Sequence, residues 1–187
     1  MQYLDRLLMA LDVEENYTGT EGGAVGPADG EGGVGGGDAA LMSARNLHTY
    51  LGKVMYKRRS DFNPLWNAIL VAGLDNDSTP FLASVDLLGT TFSAPTLATG
   101  FGAHLAQPIL RRVVPDEAAS KQLSKEKAVE AVKECMKVLF YRDARSMDVY
   151  SIAVVDQSGV ELKEDERLEG QSWAFADRIR GYGTQTI

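Results

Sequence analysis

Leu139-Phe140-Tyr141-Arg142-Asp143-Ala144-Arg145-Ser146 is the stretch on which the reading of this chain turns. Before it, from a capping Ser124 onward, Ala128, Val132, Cys135, Met136 and Leu139 recur at helical spacing and form one apolar stripe. After it, Val149 to Asp156 is rich in β-branched and apolar residues, and Gln157-Ser158-Gly159 turns the chain into a partner strand, Val160 to Lys163. The eight residues therefore make a helix-to-strand corner. An Arg-Asp pair buried there would offset its own desolvation and hold the helix to the strand.

Upstream, Tyr3, Leu4, Leu7, Leu8 and Leu11 predict an amphipathic helix over residues 2–13. Residues 18–40 then hold ten of the nineteen glycines and almost nothing apolar, so they predict a disordered loop. Gly32-Gly33-Val34-Gly35-Gly36-Gly37 is not a phosphate loop, because no strand precedes it and no Gly-Lys-Ser/Thr closes it. A second helix is expected from Leu41 to Ser60, with Ala44, Leu47, Leu51, Val54 and Met55 on one face and Lys57-Arg58-Arg59 at the end its dipole favours.

Pro64 stops that helix and a β-rich middle follows. Trp66 to Leu74 predicts a buried strand, Asp75-Asn76-Asp77-Ser78 a turn, Pro80 to Leu88 its partner, and Thr90 to Thr99 a third strand broken by Pro95. From Gly102 a helix is expected, through His104 to Val114 and ended by Pro115, and residues 170–187 are expected as a C-terminal tail with an aromatic turn or short helix at Trp173-Ala174-Phe175. The expected organisation is one α+β domain over residues 1–187.

Composition narrows the chemistry. With 187 residues there is enough chain for one full core, and a net charge of −7 with a pI near 4.9 opposes nucleic acid and anionic membranes. Asp5 and Arg6 interrupt the apolar start, no basic leader is visible, and the apolar run Ala68 to Leu74 is too short to span a bilayer, so cytoplasm and nucleus are the expected locations. One cysteine, Cys135, cannot form an internal disulfide and sits on an apolar stripe, which favours a buried small hydrophobe over a nucleophile. His48 and His104 are too few for a metal site, and Asp75 to Ser78 lacks calcium-loop spacing, so neither metal nor cofactor is expected.

Four segments carry a family likeness: Lys57-Arg58-Arg59-Ser60 with Asn63-Pro64-Leu65-Trp66-Asn67; Ala94-Pro95-Thr96-Leu97-Ala98-Thr99-Gly100; Leu105-Ala106-Gln107-Pro108; and Tyr141-Arg142-Asp143-Ala144-Arg145-Ser146. Together they resemble β-type subunits of the 20S proteasome, in particular the non-catalytic class at the seventh position of the eukaryotic β ring. The closing Gly181-Tyr182-Gly183-Thr184-Gln185 is similar to the fungal form. The resemblance implies a four-layer αββα sandwich of the N-terminal nucleophile hydrolase type, joined from its first helix onward. The leading strands that carry the family's threonine, aspartate and lysine are not found in this sequence, which predicts an exposed sheet edge.

Active members use an N-terminal threonine whose hydroxyl attacks the peptide carbonyl, helped by the free amine and a lysine. The resemblance places a Gly-Ser-Gly serine at Phe101, and a supporting Asp/Ser pair at Asp143 and Ser146, with Met147-Asp148 replacing two glycines. Phenylalanine carries no exchangeable proton, so Phe101, Asp143 and Ser146 are vestigial site positions and the chain is expected to be non-catalytic. The implied partners are β subunits of the same ring, α-ring subunits and β subunits of the opposite ring, with Tyr182, Thr184, Gln185 and Ile187 expected at a subunit interface. Two alternatives stand beside this: an active threonine endopeptidase whose nucleophile lies outside the sequence, and a free-standing binding module.

Overall fold

The computed structural model describes residues 43–179, so the helix expected at residues 2–13, the glycine-rich segment and the tail from residue 180 lie outside the described residues. Within them the order is helix, three strands, three helices and two strands, then a short 3-10 turn.

Helix α1, Ala44–Ser60, opens on Ser43, whose hydroxyl accepts the Asn46 N–H at 3.2 Å. Its inward face carries Leu51 and Met55, four residues apart, and Met55 is fully buried where α1 packs on the first two strands. The helix closes through two backbone bonds, Phe62 N–H to the Arg59 carbonyl at 3.1 Å and Asn63 N–H to the Arg58 carbonyl at 3.0 Å. That pattern wants glycine at its left-handed position. Here Phe62 occupies it at φ 55°, a conformation that costs a side-chain-bearing residue roughly 1–2 kcal/mol.

Strands β1 (Ile69–Leu74), β2 (Pro80–Val85) and β3 (Thr91–Ser93) form an antiparallel sheet in that order, with Val71 opposite Ala83 and Ala83 opposite Ser93. As the central strand β2 is covered on both faces, and Ala83, Ser84 and Val85 are all buried in succession. The expected Asp75 turn is present: Asp75 N–H donates to the Thr79 carbonyl at 2.9 Å, Asp77 accepts from Thr79, and Arg45 pairs with Asp75. The Arg45 guanidinium holds the Asp75 carboxyl below its ordinary range, helped by the Asn76 N–H.

Three strand expectations need correction. The first strand starts at Ile69, not Trp66, because a tight turn (Asn67 N–H to Leu65 carbonyl, 2.8 Å) swings Trp66 out to 83% exposure. The second ends at Val85, because the Asp86 carboxylate takes the Leu88 and Thr90 N–H groups and turns the chain. The third is three residues long, since Pro95 supplies no ladder donor.

Helix α2, Gly102–Val113, keeps Pro108 within it; helix α3, Glu117–Gln122, was not expected from the sequence pattern and is capped by Asp116, whose carboxylate accepts the Ala119 N–H at 2.7 Å. Helix α4, Lys125–Arg142, is capped by Ser124 as expected, at 3.4 Å to the Lys127 N–H. Its buried seam is Ala131 and Cys135, small residues that let α4 approach α2 at Ala106; Val132, expected on the stripe, is 40% exposed. Strands β4 (Val149–Asp156) and β5 (Gly159–Arg167) form the second sheet, with β5 longer than the expected Val160 to Lys163. The two sheets meet where β1 lies near β4. The content is α+β with antiparallel sheets.

Glycine matters most at Gly89, held at φ 77° against α1. A Cβ there would come 2.6 Å from the Tyr56 Cβ and 2.8 Å from its backbone, which cannot give way. Gly89→Ala is expected to lower stability by about 1–3 kcal/mol, read as a shift of the urea midpoint with unchanged slope.

Candidate functional site

The corner that follows α4 is built from carbonyls that the helix leaves without partners. Asp143 N–H donates to the Leu139 carbonyl at 2.7 Å, and Ser146 N–H to the Asp143 carbonyl at 3.1 Å. The Ser146 hydroxyl, half-buried, donates to the Asp143 carbonyl at 2.7 Å and lies 3.1 Å from the Leu139 carbonyl. Asp143 in turn accepts the Arg145 N–H at 3.0 Å. Asp143 and Ser146 are therefore brought together, as backbone caps of one turn.

The buried Arg-Asp pair expected there is not formed. Arg142 is exposed and its guanidinium lies over the Phe175 ring at 5.8 Å from the centroid, while Asp143 serves the local backbone. Burying both charges would leave them to compensate each other's hydration, and the chain avoids that cost by keeping Arg142 in water on an aromatic face. Next along, Asp148 pairs with Arg167 at 3.1 Å, so the residue replacing a glycine has its own cross-strand partner.

Phe101 stands on a different element, immediately before α2, after Gly100 at φ 62°. Its ring is 59% exposed and its carbonyl accepts from His104 and Leu105 within the first turn. No side-chain atom there can carry a proton. Between α2 and α4, the Cys135 thiol is buried 3.7 Å from the Ala106 carbonyl, and burial pushes its pKa up from the ordinary thiol value. That suits a packing residue and opposes a thiolate nucleophile. His48 Nε2 donates to the Ser84 carbonyl at 2.9 Å, with its ring edge-on to Phe81, and His104 is exposed on α2. Among the described residues no group of three His, Cys, Asp or Glu side chains could hold a metal, and no helix is long and apolar enough to cross a membrane.

What the sequence pattern did not show is the work of Tyr141. Its hydroxyl accepts the Ser172 N–H at 2.7 Å and donates to the Ser172 carbonyl at 3.1 Å, so one side chain satisfies both backbone groups of a distant residue. Phe140, Tyr141, Trp173 and Phe175 cluster with centroid separations of 5.2 to 6.0 Å, mostly edge-on. Lys137 Nζ adds a bond to the Gly170 carbonyl at 2.9 Å. A depression of about 390 Å³ lies beside the cluster, lined by Val138, Tyr141, Arg142, Ser172 and Phe175. The spacing of Phe140-Tyr141 and Trp173-Ala174-Phe175 was the available signal; their partnership needed the fold.

These elements coincide with a known family. Residues 43–155 match the family model described as proteasome subunit. The chain belongs to the proteasome subunit family. It is 42% identical over its whole length to the probable proteasome subunit beta type-7 of Schizosaccharomyces pombe and 44% identical to the proteasome subunit beta type-7 of Saccharomyces cerevisiae. It spans 64% and 65% of the length of those two relatives. Over 146 residues, 78% of this chain and 58% of the relative, it is 47% identical to the proteasome subunit beta type-4 of Xenopus laevis. Tyr182, Thr184, Gln185 and Ile187, expected at an interface, lie outside the described residues.

Two outcomes check the site. Tyr141→Phe removes both Ser172 bonds and is expected to cost about 1–2 kcal/mol, with the largest gain in amide exchange at Ser172. Cys135 should resist alkylation by a soluble thiol reagent in the folded chain and react at once in denaturant, as liquid chromatography with mass detection would report.

Proposed function

We propose that this chain is a non-catalytic, structural β-type subunit of the 20S proteasome core particle. Its fold is then the four-layer αββα sandwich of the N-terminal nucleophile hydrolases. Phe101 carries the reading: where the resemblance puts a proton-handling serine, the chain has an exposed hydrocarbon ring. Asp143 and Ser146 are kept; the Ser146 hydroxyl is spent on carbonyls at the end of α4 and the Asp143 carboxylate on the Arg145 N–H of the following turn, uses that need no chemistry.

The contribution to ubiquitin-dependent protein degradation is then indirect. The subunit completes the β ring, contacts subunits of the same ring, the α ring and the opposite β ring, and stabilises the joining of the two halves. The proposed locations are cytoplasm and nucleus. The beta type-7 relatives, matched along the full chain, support this reading over a free-standing module.

The test is affinity capture of the tagged chain from its source cells, read by native gel and mass spectrometry, with an activity-based electrophile for N-terminal threonines. Co-migration with α- and β-type subunits in one large particle, with no label on this chain, is expected. Label on this chain would overturn the non-catalytic role, and migration alone would overturn the assembly.

A further inference from the structure

The connection from α1 to β1 presents its aromatic residues outward. Phe62 is 96% exposed, Trp66 is 83% exposed and Tyr56, one turn inside α1, is 57% exposed, all within eleven residues of chain. Burial within the described residues does not explain why such side chains stand here. Phe62 is also the residue forced into the left-handed position where the helix closes, so its backbone strain is not offset by packing of its own ring.

The backbone beneath these rings is fixed. Two bonds lock Phe62 and Asn63 onto the end of α1, Pro64 has its φ set by its ring, and the Leu65 to Asn67 turn places Trp66 at its apex. Rings held by a rigid backbone lose little freedom when a partner covers them. The residue types match those that dominate the binding energy of protein interfaces: Trp, Tyr and Arg, with Phe beside them.

Charge says what kind of partner fits. The segment holds Lys57, Arg58 and Arg59 against the single acid Asp61, so it is a positive region on a chain whose net charge is −7. Lys57 is engaged by Asp61 at 2.8 Å, while the Arg59 guanidinium lies 5.7 Å from the centroid of the Tyr56 ring. An exposed guanidinium over the Tyr56 ring is suited to a carboxylate at the rim of an apolar socket.

We propose that residues 56–66 form a subunit-docking surface, and that its occupant is a neighbouring subunit of the core particle presenting an apolar socket rimmed by carboxylates. This rests on the reading of the chain as a core-particle subunit.

Phe62→Gly is the informative variant, because it relieves the strained position while removing the ring. Each variant is expressed as the full chain beside the unmodified chain, so that the two compete for the particle. Phe62→Gly and Arg59→Glu are each expected to fall at least about tenfold in incorporation, with the isolated Phe62→Gly chain melting no lower than its parent. A benzophenone amino acid at position 62 should crosslink to one neighbouring subunit, at a segment containing Asp or Glu. Incorporation equal to the parent's would overturn the surface, and so would crosslinks to a second copy or to this chain's own residues. If the unmodified chain enters no particle, the core-particle reading itself fails and the proposed occupant goes with it.

Discussion

Helix α4 ends with carbonyls that its own backbone cannot satisfy, and much of the second half of the structure is arranged around that deficit. Asp143 and Ser146 close the helix and set the direction in which the chain leaves toward β4. Tyr141, one residue inside the end, is thereby aimed at Ser172, and Phe140 and Arg142 at Trp173 and Phe175. The same turn that resembles part of an enzyme site thus fixes two strands and the last described segment.

Sequence patterning read the periodic elements well. Ser124, α4, the Asp75 turn and the β4–β5 turn were legible because each depends on local chemistry: a cap, an apolar stripe or carboxylates facing nearby N–H groups. Boundaries failed where a local bond overrode periodicity. Trp66 looks like the first residue of a buried strand until the Leu65 to Asn67 turn rotates it outward, and Leu88 looks buried until Asp86 captures the backbone. Short α3 escaped because six residues carry no usable period, and only Asp116 marked its start.

At the helix-to-strand corner, sequence drew attention to the right stretch and misjudged its bonding. Phe101, Asp143 and Ser146 were visible as positions, but pairing across the corner is a three-dimensional fact, and Arg142 turned to Phe175 instead of Asp143. The Tyr141–Ser172 bonds join residues 31 apart and have no signature in either neighbourhood. Conversely, Cys135 was readable because a thiol on an apolar stripe is fixed by the same periodicity that defines the helix.

Among the described residues, every strand pairs with the strand next to it in the chain: β1 with β2, β2 with β3, β4 with β5. Helix α1 packs on the strands that follow it, and α2 on α4 within the same helical stretch. Such neighbour-to-neighbour topology keeps strand pairing local in sequence, while helix packing closes longer loops, as from His48 to Ser84 and from Ala106 to Cys135. The packing falls mainly within two halves, α1 to β3 and α2 to β5. The approach of β1 to β4 then becomes the long-range step between them. On a ribosome, the first of those halves would be complete in sequence before the second has been synthesised.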